Sequence, residues 1–337
     1  MKALIPTRRR FIGIIASASC LTLSPWAMRQ ALAGSPPNPI IWRGIALGAD
    51  AELRIYHTDP NFAQALIERS IAEVHRLEQV FSLYQDDSAL SKLNRDGVLD
   101  HPPADLLRLL SQSRQFSERT GGAFDPSVQS LWRVYADHFS TPNANPAGPD
   151  QQLIDQALAQ VDYQSIDLDA ARIRLTHPGM ALTLNGIAQG YITDRIAEML
   201  NQAGLTHALI DMGELRGLNS DLAAPAWQVS LAKPDNPTQG FQTVQLRNQA
   251  LSTSGGYGTS FDTAGQFTHL FDPKTGLSQP VYRSVSVMAD NATAADALST
   301  ALSNMPMDQA RTVIETYSAK AWLVMPDGSN ITLGKYT

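Results

Sequence analysis

Asp296 and Thr300 lie four positions apart in the run Ala295-Asp296-Ala297-Leu298-Ser299-Thr300-Ala301. If this run is helical, the two share one face with their Cβ atoms about 5–6 Å apart. A carboxylate and a hydroxyl are hard oxygen donors, suited to Mg²⁺ and not to zinc. The flanking alanines let another element approach. The same run also reads as a solvated acid in a first helical turn, favoured there by the helix dipole.

Three further stretches carry groups that chemistry can use. His269, in His269-Leu270-Phe271-Asp272-Pro273-Lys274-Thr275-Gly276, is of a residue type that can serve as a general base near neutral pH. Upstream of it, Leu251-Ser252-Thr253-Ser254-Gly255-Gly256-Tyr257 offers hydroxyls to a ligand. The competing description is a β-hairpin with a backbone-satisfied histidine and an Asp-Pro turn. Thr183-Leu184-Asn185-Gly186-Ile187-Ala188-Gln189-Gly190-Tyr191 takes a strand into a helix through small residues. The N–H groups of such a helix start suit a phosphate, and tight helix–sheet packing through glycine accounts for it equally well. Gly121-Gly122-Ala123-Phe124-Asp125-Pro126-Ser127 allows close backbone approach to a ligand's polar edge, or simply caps a helix.

Other chemistries lack their residues. The histidines at 57, 75, 101, 138, 177, 207 and 269 are too far apart for HExxH or another local zinc spacing. Neither GxxxxGK[ST] nor GxSxG occurs, which argues against a P-loop nucleotidase and an α/β-hydrolase. The one cysteine, Cys20, falls in a segment expected to be removed, so no thiol nucleophile or disulfide remains.

Elements must hold these groups in place. Ile45 to Tyr56 reads as a strand. Asp59-Pro60 opens a helix, with Leu66, Ile67, Ile71, Val74, Leu77 and Phe81 on one face. A second helix spans 104–119 and stops at Gly121-Gly122. The loop 141–150, with three prolines, is a possible internal boundary. A helix at 153–161, a hairpin at 166–168 and 173–175, and a short buried strand at 181–184 follow. The helix after Gly186 runs to Gly204. Strands are expected near 207–212, 227–232, 243–253, 267–271 and 284–289, helices near 293–304 and 308–317, and strands at the end. Short connections between neighbouring strands favour an α/β chain of the α+β kind, with mixed and antiparallel sheets and packed helices, over a doubly wound fold.

The chain has 337 residues, 43% hydrophobic and 17% charged, enough for a large core. Its formal charge of −6 hides an asymmetry. The first 33 residues hold five basic groups and no acid, and the chain after Ala33 holds 21 basic and 32 acidic residues, a charge of −11. So acidic a body does not bind nucleic acid through phosphate neutralisation. Thr7-Arg8-Arg9-Arg10-Phe11-Ile12, an uncharged stretch to Met28 and Ala31-Leu32-Ala33 have the form of a twin-arginine export signal over 1–33 with its cleavage site. The expectation is a periplasmic body over 34–337 with no membrane span.

In this order, the four stretches resemble the ApbE family, the FAD:protein FMN transferases. The resemblance extends to Leu47-Gly48-Ala49, Phe81-Ser82-Leu83-Tyr84 and Asp87-Ser88-Ala89-Leu90-Ser91-Lys92-Leu93-Asn94. It implies a T-fold-like protein that binds FAD and Mg²⁺. In such proteins a Thr or Ser hydroxyl of an acceptor attacks the FMN-side phosphorus and AMP leaves. By position, Asp296, Thr300 and the Gly186 carbonyl resemble the Mg²⁺ ligands, and His269 the base. Leu47, Tyr84, Ala123, Phe124, Asp125, Thr183, Gln189 and Phe271 resemble FAD contacts. Thr183 and Gln189 depart from the Asp and Lys usual in the family, Leu47-Gly48-Ala49 from Met-Gly-Thr, and Asp211-Met212-Gly213-Glu214 shortens a Gly-Gly-Asp motif. The export signal, Asn185-Gly186-Ile187-Ala188-Gln189-Gly190-Tyr191 and Asp211-Met212-Gly213-Glu214 are similar to the branch associated with nitrous oxide respiration. That likeness implies a periplasmic flavin-acceptor domain of a membrane protein of the NosR type as partner. FAD pyrophosphatase and non-catalytic FAD-binding assembly factor remain the alternatives.

Overall fold

A computed structural model of the chain describes residues 39–220 and 224–335. The export signal at 1–33 lies outside the described residues. The chain enters on a hairpin, β1 (Ile40–Ala46) and β2 (Ala49–Ile55), and not on the single strand expected over 45–56. Leu47 and Gly48 reverse it with φ of 45° and 76°. Two consecutive positive φ angles match the twist of a tight hairpin. The Leu47 N–H donates to Glu78 Oε1 at 2.8 Å and pins this turn to the following helix.

That helix, α1 (Pro60–Phe81), starts where Asp59 Oδ1 accepts from the Asn61 and Phe62 N–H groups. Next come α2 (Ala89–Asp96), β3 (Val98–Asp100), α3 (Ala104–Arg119), α4 (Gln129–Ser140) and α5 (Gln151–Leu158). The loop 141–150 joins α4 to α5, and both pack with Phe271 in one small core through Leu131, Tyr135, Ile154 and Ala157. The expected hairpin appears as β4 (Ile166–Leu168) and β5 (Arg172–Leu175), with β3 on the other edge of β5. The helix after Gly186 is α6 (Ala188–Gln202). Then follow β6 (His207–Asp211), β7 (Leu215–Asn219), β8 (Trp227–Lys233), β9 (Asn236–Leu246), β10 (Ala250–Ser254) and β11 (Ser284–Ala289). The chain closes with α7 (Ala292–Leu302), α8 (Met307–Thr316), β12 (Lys320–Val324) and β13 (Asn330–Leu333).

Eight strands form one antiparallel sheet in the order β1-β2-β6-β7-β10-β11-β12-β13. Both faces of its central strands are covered, and the period-two alternation of strand side chains sorts them. Ala208, Ile210, Val285, Val287, Ala321 and Leu323 face the main core with the helices. Leu209, Leu251, Met288 and Trp322 face a second core under the β8–β9 hairpin. The architecture is α+β, as the strand spacing predicts.

Two expected strands are absent, for one reason: their backbone groups find other partners. At 181–184 the Asn94 amide takes the place of a strand, its Oδ1 accepting from Leu182 N (2.7 Å) and its Nδ2 donating to Leu182 O (2.8 Å). Thr183 N donates to Pro126 O, and only a single bridge joins Ala181 to Val128. At 267–271 the N–H groups of Thr268 and His269 go to different loops, at Ser278 and Thr259. The expected strand 243–253 is divided between two sheets at Asn248, whose φ is 56°. β7, not foreseen in the sequence, lies between β6 and β10.

α6 and α7 cap each other. α6 has no side-chain cap of its own, and Asp296 of α7 supplies one, its Oδ2 accepting from Gly190 N at 3.0 Å. In return Asp194 of α6 accepts from Ala292 N (2.9 Å), Thr293 N (2.8 Å) and Thr293 Oγ1 (2.6 Å) at the start of α7. These are the N–H groups that a helix start leaves without intrahelical partners. A Cβ on Gly190 would collide with the Ala292 carbonyl, so this closeness needs glycine.

A second junction ties α1, α3 and α6. Asp105 accepts from Arg76 (2.7 Å) and from the Tyr191 hydroxyl (2.6 Å). Burial pushes the Asp105 carboxyl up, but the bonds from Tyr191 and Arg76 outweigh it and hold the group below its ordinary value. Its contribution is therefore complete above the unfolded carboxylate value of about 4 and is lost as pH falls through the lower folded value. Urea denaturation of Asp105→Asn is expected to show a stability deficit at neutral pH that narrows steadily below about pH 4. A deficit that did not change with pH would mean that the ionised form contributes nothing.

Candidate functional site

The chemistry-bearing stretches converge on one cavity. Its wall is built from the loop after α3 (Ala123, Phe124, Asp125), the segment at Thr183, Asn185 and Gly186, the end of β10 (Thr253, Ser254, Gly255), the loop at His269 and Phe271, and Thr300 of α7. Of the residues singled out in the sequence, Ala123, Phe124, Asp125, Thr183, Gly186, His269, Phe271 and Thr300 line it. Tyr84, 62% exposed, lines a neighbouring recess that shares Trp132 and Asn185 with the cavity. Leu47 sits at the turn of the first hairpin, outside both. Gln189 is 1% exposed, its amide packed against Gly213 with neither polar atom hydrogen-bonded. Asp296, also 1% exposed, lies behind the wall on the same helix as Thr300.

Gly186 presses against Thr300 so closely that a Cβ built on it would stand 2.8 Å from Thr300 Oγ1. This cradle, which a methyl group would fill, is where the Gly186 backbone and the Thr300 hydroxyl meet. With the Asp296 carboxylate one turn earlier, the donors are a carbonyl, a hydroxyl and a carboxylate. That set fits a hard divalent cation such as Mg²⁺. Among the described residues no three His, Cys, Asp or Glu side chains cluster as a metal site, so a cation here relies on these mixed oxygens.

His269 is half-buried, with Nδ1 3.0 Å from the Thr259 carbonyl. A carbonyl only accepts, so Nδ1 carries the proton and Nε2 has the basic lone pair. Asn304 Nδ2 donates to Phe271 O at 2.7 Å and steadies the aromatic beside it.

Asp125 lines the cavity, yet its carboxylate serves the scaffold. Oδ1 accepts from Ser127 N (2.8 Å) and Ser127 Oγ (2.5 Å), and Oδ2 from Tyr163 N (3.1 Å). Ser127 Oγ accepts from Asp162 N in turn. Burial pushes the Asp125 carboxyl up, against the opposing pull of these bonds. Sequence reasoning missed the opposite wall: Trp132 on α4, and Ser230, Leu231 and Ala232 on β8, where the hairpin register shifts. The apolar spacing of Val128, Leu131, Trp132 and Tyr135 signals α4, but nothing in β8 marks those three residues as cavity wall.

Asp125→Asn keeps one accepting oxygen but turns an amide donor toward a donor, either Tyr163 N or the Ser127 groups. A loss of about 1–3 kcal/mol in unfolding free energy is expected. Unchanged denaturation midpoints would show that this clamp does not hold the loop.

The ApbE family model matches residues 47–323 of the chain. The FAD:protein FMN transferase of Treponema pallidum is 29% identical over 84% of this chain and 83% of its own length. That of Haemophilus influenzae is 27% identical over 93% and 92%. Among solved structures, the ApbE protein of Thermotoga maritima superposes with a TM-score of 0.78 at 24% identity, covering 88% of this chain and 97% of that one. The flavinyl transferase ApbE of Pseudomonas stutzeri gives 0.74 at 22%, covering 89% and 96%. Both share this fold.

Proposed function

The chain belongs to the ApbE family, and on that footing we propose that it is a Mg²⁺-dependent FAD:protein FMN transferase. In this reading it works in the periplasm after twin-arginine export and modifies a Thr or Ser in a membrane-anchored flavoprotein of the NosR type. The observation that carries the reaction is the meeting, in one cavity, of the Gly186–Thr300 oxygen cradle with His269. The activity rests on the family match and on relatives over nearly their full length. The export route and the acceptor rest on the N-terminal residues and on the motif likeness at 185–191.

Asp296, Thr300 and the Gly186 carbonyl would hold the cation. A cation held by these oxygens would supply charge neutralisation to the pyrophosphate. Phe124 and Phe271 offer ring surface to a planar ligand. His269 Nε2 takes the proton from the acceptor hydroxyl. The freed oxygen bonds to the FMN-side phosphorus, and the P–O bond to AMP breaks with its electron pair leaving on AMP. The product is a phosphoester-linked FMN. Gln189 brings no charge to the first turn of α6, where Ala188 N and Gly190 N already donate to Leu184 O and Asp296, so in this reading the oxygen cradle and its cation carry the phosphate neutralisation.

Incubating the protein with FAD, Mg²⁺ and the acceptor domain is expected to release AMP in equal amount to an acceptor mass gain of one FMN. AMP release without acceptor would instead indicate hydrolysis. Tight FAD binding with no AMP under any condition would indicate a carrier. Asp296→Asn retains an oxygen for Gly190 N while removing the charge. It is expected to keep the melting temperature within a few degrees and to lower transfer by about 10²-fold or more. Unaltered transfer in that variant would remove Asp296 from the metal assignment.

A further inference from the structure

Four hydroxyls stand in contact between β10 and α7, Ser254 and Thr300 on the cavity wall and Ser252 and Ser299 behind it. Ser254 Oγ is 2.7 Å from Ser299 Oγ, Ser252 Oγ is 3.1 Å from Ser299 Oγ, and Ser254 Oγ is 3.4 Å from Thr300 Oγ1. Ser252 and Ser299 are fully buried and Ser254 is 8% exposed, so water does not supply alternative partners to the first two. Ser299 Oγ lies 3.0 Å from the Asp296 backbone carbonyl, which accepts only, so its one proton is fixed there. The two lone pairs left on Ser299 then face two hydroxyls, which must donate. The Ser252 and Ser254 protons are both committed to Ser299. Ser254 therefore turns a lone pair toward Thr300, and the Thr300 proton turns toward Ser254. What Thr300 shows to Gly186, on the cavity side, is lone pairs alone.

We propose that Ser299, acting through Ser254, is a positioning residue that sets the Thr300 hydroxyl as a pure acceptor toward a cation at Gly186. The proposal rests on the metal site of the preceding section. Without Ser299, the Ser254 proton loses its acceptor and turns to Thr300. It then occupies a lone pair or displaces the Thr300 proton into the cavity, and either one opposes a cation. Without both serines, nothing donates to Thr300 and its lone pairs are open again. Outer-shell partners of metal ligands change affinity by about 10–100-fold when removed.

The test is Mn²⁺ binding to the full chain without FAD, followed by the loss of the free-ion electron paramagnetic resonance signal. Ser299→Ala is expected to weaken binding about tenfold, Ser254→Ala about threefold or less, and the double variant S254A/S299A to match Ser254→Ala. The double variant is thus tighter than Ser299→Ala alone. Ser299→Cys, which keeps the bulk and a weak acceptor, is expected between wild type and Ser299→Ala; it serves also if Ser299→Ala does not fold. Purely structural serines would make the double variant at least as weak as the worse single one, and that result overturns the proposal while leaving the metal site standing. Thr300→Val separates the two levels: if it binds Mn²⁺ as wild type does, or if wild type binds none, the metal assignment falls and this inference with it.

Discussion

The site depends on two helices that finish each other. Asp296 of α7 caps Gly190 in the first turn of α6, and Asp194 of α6 caps Ala292 and Thr293 at the start of α7. Each cap is worth about 1 kcal/mol in ordinary cases, but their geometric effect is larger. The exchange fixes the axial position of α7 against α6, and with it the distance from Thr300 to Gly186. It also places a buried carboxylate at the N-terminal end of α6. Gly190 permits the approach and Gly186 uses it.

Around that pair, the sheet divides the molecule into two cores by strand alternation alone. Every residue of β11 is buried, because both faces of the strand are roofed. The helical side carries Thr300 and Ser299, and the hairpin side carries Ser230, Leu231 and Ala232. Thr253 and Ser286, register partners on β10 and β11, bond to each other on the cavity wall. The cavity thus lies where β10 ends and the two layers part.

Much of this was legible in the residues. Asp59-Pro60 announced α1, and the pattern at 166–175 announced a hairpin. The order of the four chemistry-bearing stretches identified the family that the match over 47–323 shows. The helix over 292–302 was also readable, down to Asp296 and Thr300 on one face. What stayed hidden was long-range satisfaction of the backbone. Leu182 forms no strand, because a side chain 88 residues earlier takes both its hydrogen bonds. Thr268 and His269 spend their N–H groups on the backbone carbonyls of two different loops, at Ser278 and Thr259. Nor does a sequence tell that the Asp125 carboxylate is consumed by Ser127 and Tyr163, or that β8 folds over to complete the wall.

The double duty of Asp296 bears on how such a protein drifts. A side-chain oxygen that anchors a neighbouring helix is retained by selection for folding even after its chemistry has lapsed. A descendant that had become a mere scaffold would keep Asp or Asn there. Among the described residues Thr300 caps no helix, and its hydroxyl has one long hydrogen-bond contact, to Ser254. Across homologues, the hydroxyl is therefore the better marker of surviving catalysis than a capping oxygen at 296.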